Sequence, residues 1–400
     1  MHICYISQEY PPETGWGGVG TYTYIMARDL VKRGHRVTII SVTMSEPSIE
    51  SQDGVEVHRL NEKLFLDGVR GSWRLQHYFP GFAWAAAECL YRLHCIVPVD
   101  VVEYAEVRAD GFFTALQSYF SKRTTPATVV RLHMAWRLID QLNKIKPTNG
   151  KRLKYWLEKQ SILKSDLITA PSQAVLNWTL KWLPQLQEHN PIVLANPIDV
   201  APFHQSKTQA EDGKEILFVG RLEKRKGLDA LVKAVPKVLK VVPDAHFRFV
   251  GRDGVDEQGT SWRQRIEDAA LPYGVNCVQF THVPRVEMPK IYQSASVSVF
   301  PSTWENFPYV VLESMACGTP VIVSSTGGMP EIVEDEDCGL IVDPDNPDQL
   351  AQAILRLLRN PDLSHSLGLK GKTHVVHRFS TDEIVPKMIE LYKQAASQRS

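Results

Sequence analysis

The chain has 400 residues, 44% hydrophobic and 22% charged, with 45 basic and 45 acidic side chains and a formal net charge of zero. That length accommodates two domains of ordinary size, and a charge balance that is mild in both halves argues against a nucleic-acid partner. Six scattered cysteines without a Cys-x-x-Cys pair argue against a metal cage or disulfide framework; with no run of eighteen apolar residues and an apolar strand at the start, a soluble cytoplasmic protein is expected.

His2 to Ser7 reads as the first strand. The loop Glu9 to Gly20 then leads into a helix over about Thr21 to Arg33, closed by Gly34, and Val37 to Val42 is the second strand. Strand, glycine loop, helix and strand open a doubly wound parallel sheet, whose ligands bind beyond the carboxyl ends of its strands. Gly15, Gly17, Gly18 and Gly20 let backbone approach a ligand closely. A dinucleotide-binding turn competes for this reading, but the loop is long and no acid directly follows the second strand. Residues 70–98 hold Trp73, Tyr78, Phe79, Phe82, Trp84 and Tyr91 and read as buried helix, with an acceptor pocket as the alternative. Val99 to Tyr104 is a strand, and Ala127 to Leu132 is another, delivering His133 at its carboxyl end. A histidine so placed stands where parallel-sheet enzymes put chemistry, although a lone histidine is more often structural. Residues 122–164 carry eleven Lys or Arg against Asp140 and Glu158. Lys151 to Lys164 reads as a helix with Leu153, Trp156, Leu157 and Leu163 near one face, suited either to a core or to an anionic membrane surface. After the strand Ser165 to Ala170, the polar run 205–213 reads as a linker.

The second half repeats the pattern. Glu215 to Val219 is a strand, followed by Gly220-Arg221-Leu-Glu-Lys-Arg-Lys226-Gly227 and a helix through Leu239. Arg221 and Lys226 lie between a strand end and a helix start, where both can reach a diphosphate or simply stay solvated. His246 to Val250 and Cys277 to Phe280 are strands, the latter followed by His282 to Pro284. Ser296 to Phe300 precedes Pro301 to Val321, in which Asn306 can cap a helix with Pro308 near its first turn, and Gly318 and Pro320 end it. The start of such a helix seats phosphate, and Glu313, eight residues beyond Glu305, can accept hydrogen bonds from vicinal hydroxyls such as those of a ribose. Asp343-Pro-Asp345 precedes a helix start and reads as a turn and cap rather than a metal site. The last helix covers about Thr381 to Ala396, with Ser380 or Thr381 as its cap.

Glu305-Asn-Phe-Pro, Glu313 and Ser-Met-Ala-Cys-Gly-Thr-Pro-Val, with Gly220-Arg-Leu and Lys226-Gly227, resemble the donor-site signature of retaining nucleotide-sugar glycosyltransferases of the GT-B fold. The family includes sucrose synthase and bacterial lipid and polysaccharide glycosyltransferases. The chain departs from it at Asn306 and Pro308, where glycine is usual. The resemblance implies two Rossmann-like domains facing across a cleft: an acceptor domain over 1–204, a linker at 205–213, a nucleotide-sugar domain over 214–378, and a helix at 379–400 crossing back to the first domain. It implies that Glu305 faces the transferred sugar, with the stretch Asn306, Phe307, Pro308 and Tyr309 facing the phosphates through its backbone and Glu313 holding the ribose. It further implies that Arg221 and Lys226 hold the diphosphate and that Val283 lies against the nucleobase. Gly17 and Gly18 then line the cleft as donor-binding residues of a loop that touches acceptor and donor phosphate, and His133 stands near the sugar. The co-substrate is a nucleotide diphosphate sugar, no metal or other cofactor is expected, and the acceptor is a saccharide, a lipid-linked sugar or a small molecule. A sugar-nucleotide epimerase and a non-catalytic sugar-nucleotide-binding subunit are the competing readings.

Overall fold

The computed structural model describes all residues except 16, 62–78, 122–123, 204–212, 275, 335–337 and 400. The chain divides into two compact units, Met1–Pro197 with Thr381–Ser400, and Ile198–Ser380. It leaves the first unit at Pro197 rather than 204. The cause is local: Ile198 pairs with Ser380, and its N–H donates to the Phe379 carbonyl at 2.8 Å. It returns at Thr381, and the linker expected at 205–213 lies outside the described residues except for Gly213.

The first unit holds β1 (His2–Ile6), β2 (Arg36–Thr43), β3 (Ser48–Gln52), β4 (Val55–Asn61), β5 (Val101–Ala105), β6 (Ala127–Arg131), β7 (Leu167–Ala170) and β8 (Ile192–Val193). Among the described residues they form one sheet in the order β3-β4-β2-β1-β5-β6-β7-β8. All neighbours are parallel except β3 and β4, a hairpin turned by Asp53 and Gly54, both left-handed. Continuous apolar burial along β1, β5 and β6 is what a parallel sheet covered on both faces requires. The first helix, Gly18–Lys32, begins three residues earlier than expected, with Gly17 at its N-cap.

One expectation of burial fails in part here, and one open choice is narrowed. Within the helix Phe79–Ile96, Phe82 is buried, but Trp84 and Tyr91 are more than half exposed; Trp73, Tyr78 and the Phe79 side chain lie outside the described residues. In the helix Asn149–Leu163, capped by Thr148, Leu153 and Trp156 are exposed while Glu158, Ser161 and Ile162 are buried. Helical periodicity located a face, but the neighbours decide which face is covered.

The last helix, Thr381–Ser397, belongs to the first unit. Tyr392 Oη donates to Glu103 Oε2 at 2.6 Å and shares a hydrogen bond with Tyr5 Oη at 2.8 Å. Arg33 pairs with Asp382 at 2.8 Å, and Arg399 with Asp166 at 2.6 Å.

The second unit holds β9 (Glu215–Val219), β10 (His246–Val250), β11 (Val278–Thr281), β12 (Val297–Phe300), β13 (Val321–Ser324) and β14 (Leu340–Val342). Their order is β11-β10-β9-β12-β13-β14, all parallel. Helices Leu228–Leu239 and Pro347–Leu358 press a wide apolar stripe onto this sheet, closing a core around Phe218, Phe247 and Phe249. At Asp343 the turn reading holds: its carboxylate accepts the Asp345 N–H at 2.9 Å, and Asn346 caps the following helix.

Candidate functional site

In the second unit β9 lies between β10 and β12, so the chain's crossovers diverge there. The crevice beyond the carboxyl ends of β9 and β12 is where such a sheet seats ligands. The loop after β9 runs from Gly220 through Arg221 and Lys226 to Gly227, and the loop after β12 runs from Pro301 to Pro308. Backbone contacts bind the two loops closely. Gly227 has φ +77°, and a Cβ there would sit 1.8 Å from the Pro301 oxygen. Thr303 N–H donates to the Arg225 oxygen at 2.9 Å. The loop after β13 joins them, because Gly327, at φ +68°, packs where a Cβ would lie 2.1 Å from the Glu305 oxygen. Gly328 N–H donates to that same oxygen at 2.8 Å.

On this frame Glu305 Oε1 meets two cations, Lys226 Nζ at 2.5 Å and Arg225 Nη1 at 3.1 Å. Arg225 also donates to the Trp304 oxygen at 3.1 Å and to Glu223 Oε1 at 2.9 Å. Burial would raise the Glu305 carboxyl, but Lys226 and Arg225 outweigh it and hold the group below the usual carboxylate range. Arg221 shares the loop but turns outward, 68% exposed, 3.3 Å from Glu223.

The helix after this loop is Tyr309–Ala316, with Pro308 at its N-cap. Asn306 therefore does not cap it, while Pro308 stands at the N-cap itself, beside the first turn. Asn306, Phe307 and Tyr309 are buried, Phe307 lying edge-on to Phe379 with centroids 5.3 Å apart. Glu313 is on the buried side of that helix, where Tyr292 Oη donates to it at 2.9 Å and Arg285 pairs with it at 3.1 Å. Val283 lies half-buried in the loop after β11. The structure thus joins Lys226 to Glu305, sets Arg221 on the rim of the same loop, and places Glu313 in a separate polar cluster.

In the first unit, Gly17 and Gly18 begin the helix after β1. Glu9 Oε2 lies 2.1 Å from where a Gly17 Cβ would be, while the space at Gly18 is open. His133 follows β6 and is buried, its ring edge-on to Tyr22 at 5.3 Å. Burial, with Arg131 nearby, lowers its pKa to about 3, so the imidazole is neutral. Its backbone N–H donates to Glu106 Oε2 at 2.7 Å. Burial pushes Glu106 up to about 7 against the backbone N–H groups it accepts. Asp110, which accepts from Gln8 at 2.6 Å, is likewise raised by burial to about 7.

Sequence reading passed over several of these groups. Arg225 stands in the run Lys224-Arg225-Lys226, where nothing local distinguishes its direction. Glu106 and Asp110 follow the end of β5, so the strand-end rule that found His133 also reaches them. Arg285 and Tyr292 meet Glu313 only through tertiary packing.

Comparison with known proteins gives these features a context. Residues 16–201 match the family model Glycosyltransferase Family 4, and residues 199–374 match Glycosyl transferases group 1. An uncharacterized glycosyltransferase of Methanocaldococcus jannaschii is 28% identical over 99% of this chain and 98% of its own. A D-inositol 3-phosphate glycosyltransferase of Acidothermus cellulolyticus is 36% identical over 47% of this chain and 42% of its own length. Sucrose-phosphate synthase of Thermosynechococcus elongatus shares the fold, with a TM-score of 0.79 over 99% of both chains at 23% identity. Two family segments that together run from residue 16 to residue 374, each on its own parallel sheet, make this chain a glycosyltransferase of the GT-B fold, acting on a nucleotide-sugar donor.

Proposed function

We propose that the chain transfers a hexosyl group from a nucleoside diphosphate hexose to an acceptor hydroxyl, with retention at the anomeric carbon and without a metal ion. The observation that carries this reading is the Lys226–Glu305 pair at the switch point of the second sheet, with Arg221 on the rim of the same loop. The bond from the anomeric carbon to the diphosphate oxygen breaks as the bond to the acceptor oxygen forms on the same face. The acceptor proton passes to the departing diphosphate. Lys226 and Arg221 meet the charge that gathers on the leaving group, the task a divalent cation performs elsewhere. Glu305 faces the sugar, Glu313 takes the ribose hydroxyls, Val283 offers backbone to the base, and the loop around Asn306 to Tyr309 faces the phosphates. On the acceptor side, Gly17 and Gly18 admit the ligand to the backbone, and neutral His133 offers a hydrogen bond without charge.

The acceptor is a saccharide, a lipid-linked sugar or a small hydroxyl compound. The relatives' names give two precedents with phosphorylated products or acceptors. Lys144, Lys146 and Arg152 are exposed beside exposed Leu153 and Trp156, which supports a peripheral, anionic membrane surface as the place of reaction. The test is a panel of nucleoside diphosphate hexoses incubated with candidate acceptors and excess chelator, followed by proton NMR of the product. An α-linked product from an α-linked donor under chelation is expected. An inverted product, or activity that returns only with magnesium or manganese, overturns the respective part. Donor consumption without any acceptor points to an epimerase, and binding without consumption to a non-catalytic subunit.

A further inference from the structure

Five charged side chains alternate in sign through the donor loops: Arg221, Glu223, Arg225, Glu305 and Lys226. The contacts run at 3.3, 2.9, 3.1 and 2.5 Å. Three cations and two anions leave one positive charge in excess. The members differ in how firmly they are held. Arg225 is anchored at three points, on Glu305, the Trp304 oxygen and Glu223, and its own carbonyl accepts the Thr303 N–H and hydroxyl at 2.9 and 3.2 Å. Its side chain is 16% exposed. Lys226 holds its place through Glu305 Oε1 on a flexible stem, and Arg221 reaches only Glu223 from a largely exposed position.

We propose that Arg225 is a positioning residue: it keeps Glu305 aimed and charge-compensated while Lys226 leaves that carboxylate for the donor's diphosphate. The proposal rests on the donor site described above. Both cations share one oxygen of Glu305, so one can depart while the other remains. A lysine ammonium is a compact charge on a mobile chain, whereas a guanidinium anchored at several acceptors stays in its plane. The two ends of the chain, Arg221 and Lys226, therefore go to the diphosphate, and the middle stays fixed. Among the described residues, the charged groups paired with Glu305 are Arg225 and Lys226 from the loop after β9, with Glu223 on the far side of Arg225. The loop after β13 meets Glu305 through the backbone of Gly327 and Gly328. Without Arg225, departure of Lys226 leaves a largely buried carboxylate with neither cation, and such a group takes up a proton.

The experiment uses Arg225→Met and Arg225→Lys in the full chain. Calorimetry at pH 6, in two buffers of different ionisation enthalpy, follows binding of whichever of uridine, adenosine or guanosine diphosphate the wild type binds most tightly. Little proton uptake is expected in the wild type, uptake approaching about one proton in Arg225→Met, and less in Arg225→Lys. Adding Glu305→Gln to Arg225→Met should abolish that uptake. With the donor hexose, Arg225→Met should lower kcat about 10–100-fold at pH 7 with KM changed less than about threefold, and the acid limb of its pH profile should move up by about one unit. Arg225→Lys should recover part of the rate. Arg225→Met that binds the diphosphate without proton uptake and turns over within about threefold of the wild type overturns the proposal. If the wild type binds none of the three diphosphates, the donor-site reading itself falls. Should Arg225→Met not fold, the same readouts on Arg225→Lys decide.

Discussion

Glu106 is a buried side chain that couples the loops after β5 and β6 to pH. Its carboxyl is raised from about 4.5 to about 7 by burial. An unfolded chain releases that proton at lower pH than the folded one, so the group's contribution is full below the unfolded value and is lost as pH rises through about 7. A shift of this size is on the order of 3 kcal/mol at about 1.4 kcal/mol per unit. Glu106→Gln keeps an oxygen for the His133 N–H but cannot ionise. Its melting temperature relative to wild type should therefore be higher at pH 8 than at pH 5; a gap independent of pH would refute the assignment. The two acids of the donor motif should separate in another way. Glu313→Ala is expected to weaken nucleoside diphosphate binding about 10–100-fold, the worth of one or two charge-assisted hydrogen bonds. Glu305→Ala should depress turnover more than binding. Full-strength calorimetric binding by the Glu313 variant would remove the ribose role. Both acids were singled out in the sequence by their resemblance to a family motif, but their partners were not, because Arg285, Tyr292 and Arg225 reach them through the fold.

At the scale of the element, strand and helix positions followed the sequence closely, and the departures have identifiable causes. Periodicity and glycine punctuation locate the β9 loop and its helix well. They misplace the start of the helix Tyr309–Ala316, since Asn306, a residue type suited to a cap, is buried two residues before Pro308, which takes the N-cap. The hairpin β3–β4 had a signal in Asp53-Gly54 flanked by alternating residues, and it went unread. The glycines give the clearest element-level contrast. Gly327→Ala adds a Cβ against the Glu305 backbone at a left-handed position and should cost about 1–3 kcal/mol or more, together with most of the transferase activity. Gly18→Ala meets open space and begins a helix, so thermal stability should be unchanged within about 0.5 kcal/mol. If the loop contacts the donor, its KM should nonetheless rise. Equal loss of stability in both variants would contradict the packing described here.

At the scale of the whole molecule, the surface of the first unit bears on where the enzyme works. No helix among the described residues is long and apolar enough to cross a membrane. The helix Asn149–Leu163 instead shows exposed Leu153, Trp156 and Arg152, near exposed Lys144 and Lys146. Lys151 is not available for such a surface, since it pairs with buried Asp140 at 2.7 Å. Lys122 and Arg123, part of the same basic stretch, lie outside the described residues. Co-sedimentation with vesicles containing anionic lipid, weaker with neutral vesicles and reversed by salt, is the expected outcome. Lys144→Glu with Lys146→Glu and Arg152→Glu should abolish it; indifference to vesicle charge at low salt would favour a soluble acceptor. The sequence by itself determined the two largely parallel sheets and the loops at their strand ends, because these depend on local periodicity and on residues close along the chain. Only the tertiary structure decided where the chain passes between units, that the last helix hangs its Tyr392 on Glu103, and that Arg225 rather than Lys224 turns to Glu305. Those outcomes depend on which distant surfaces meet, and neighbouring residues in a charged run carry the same local signal whichever way they point.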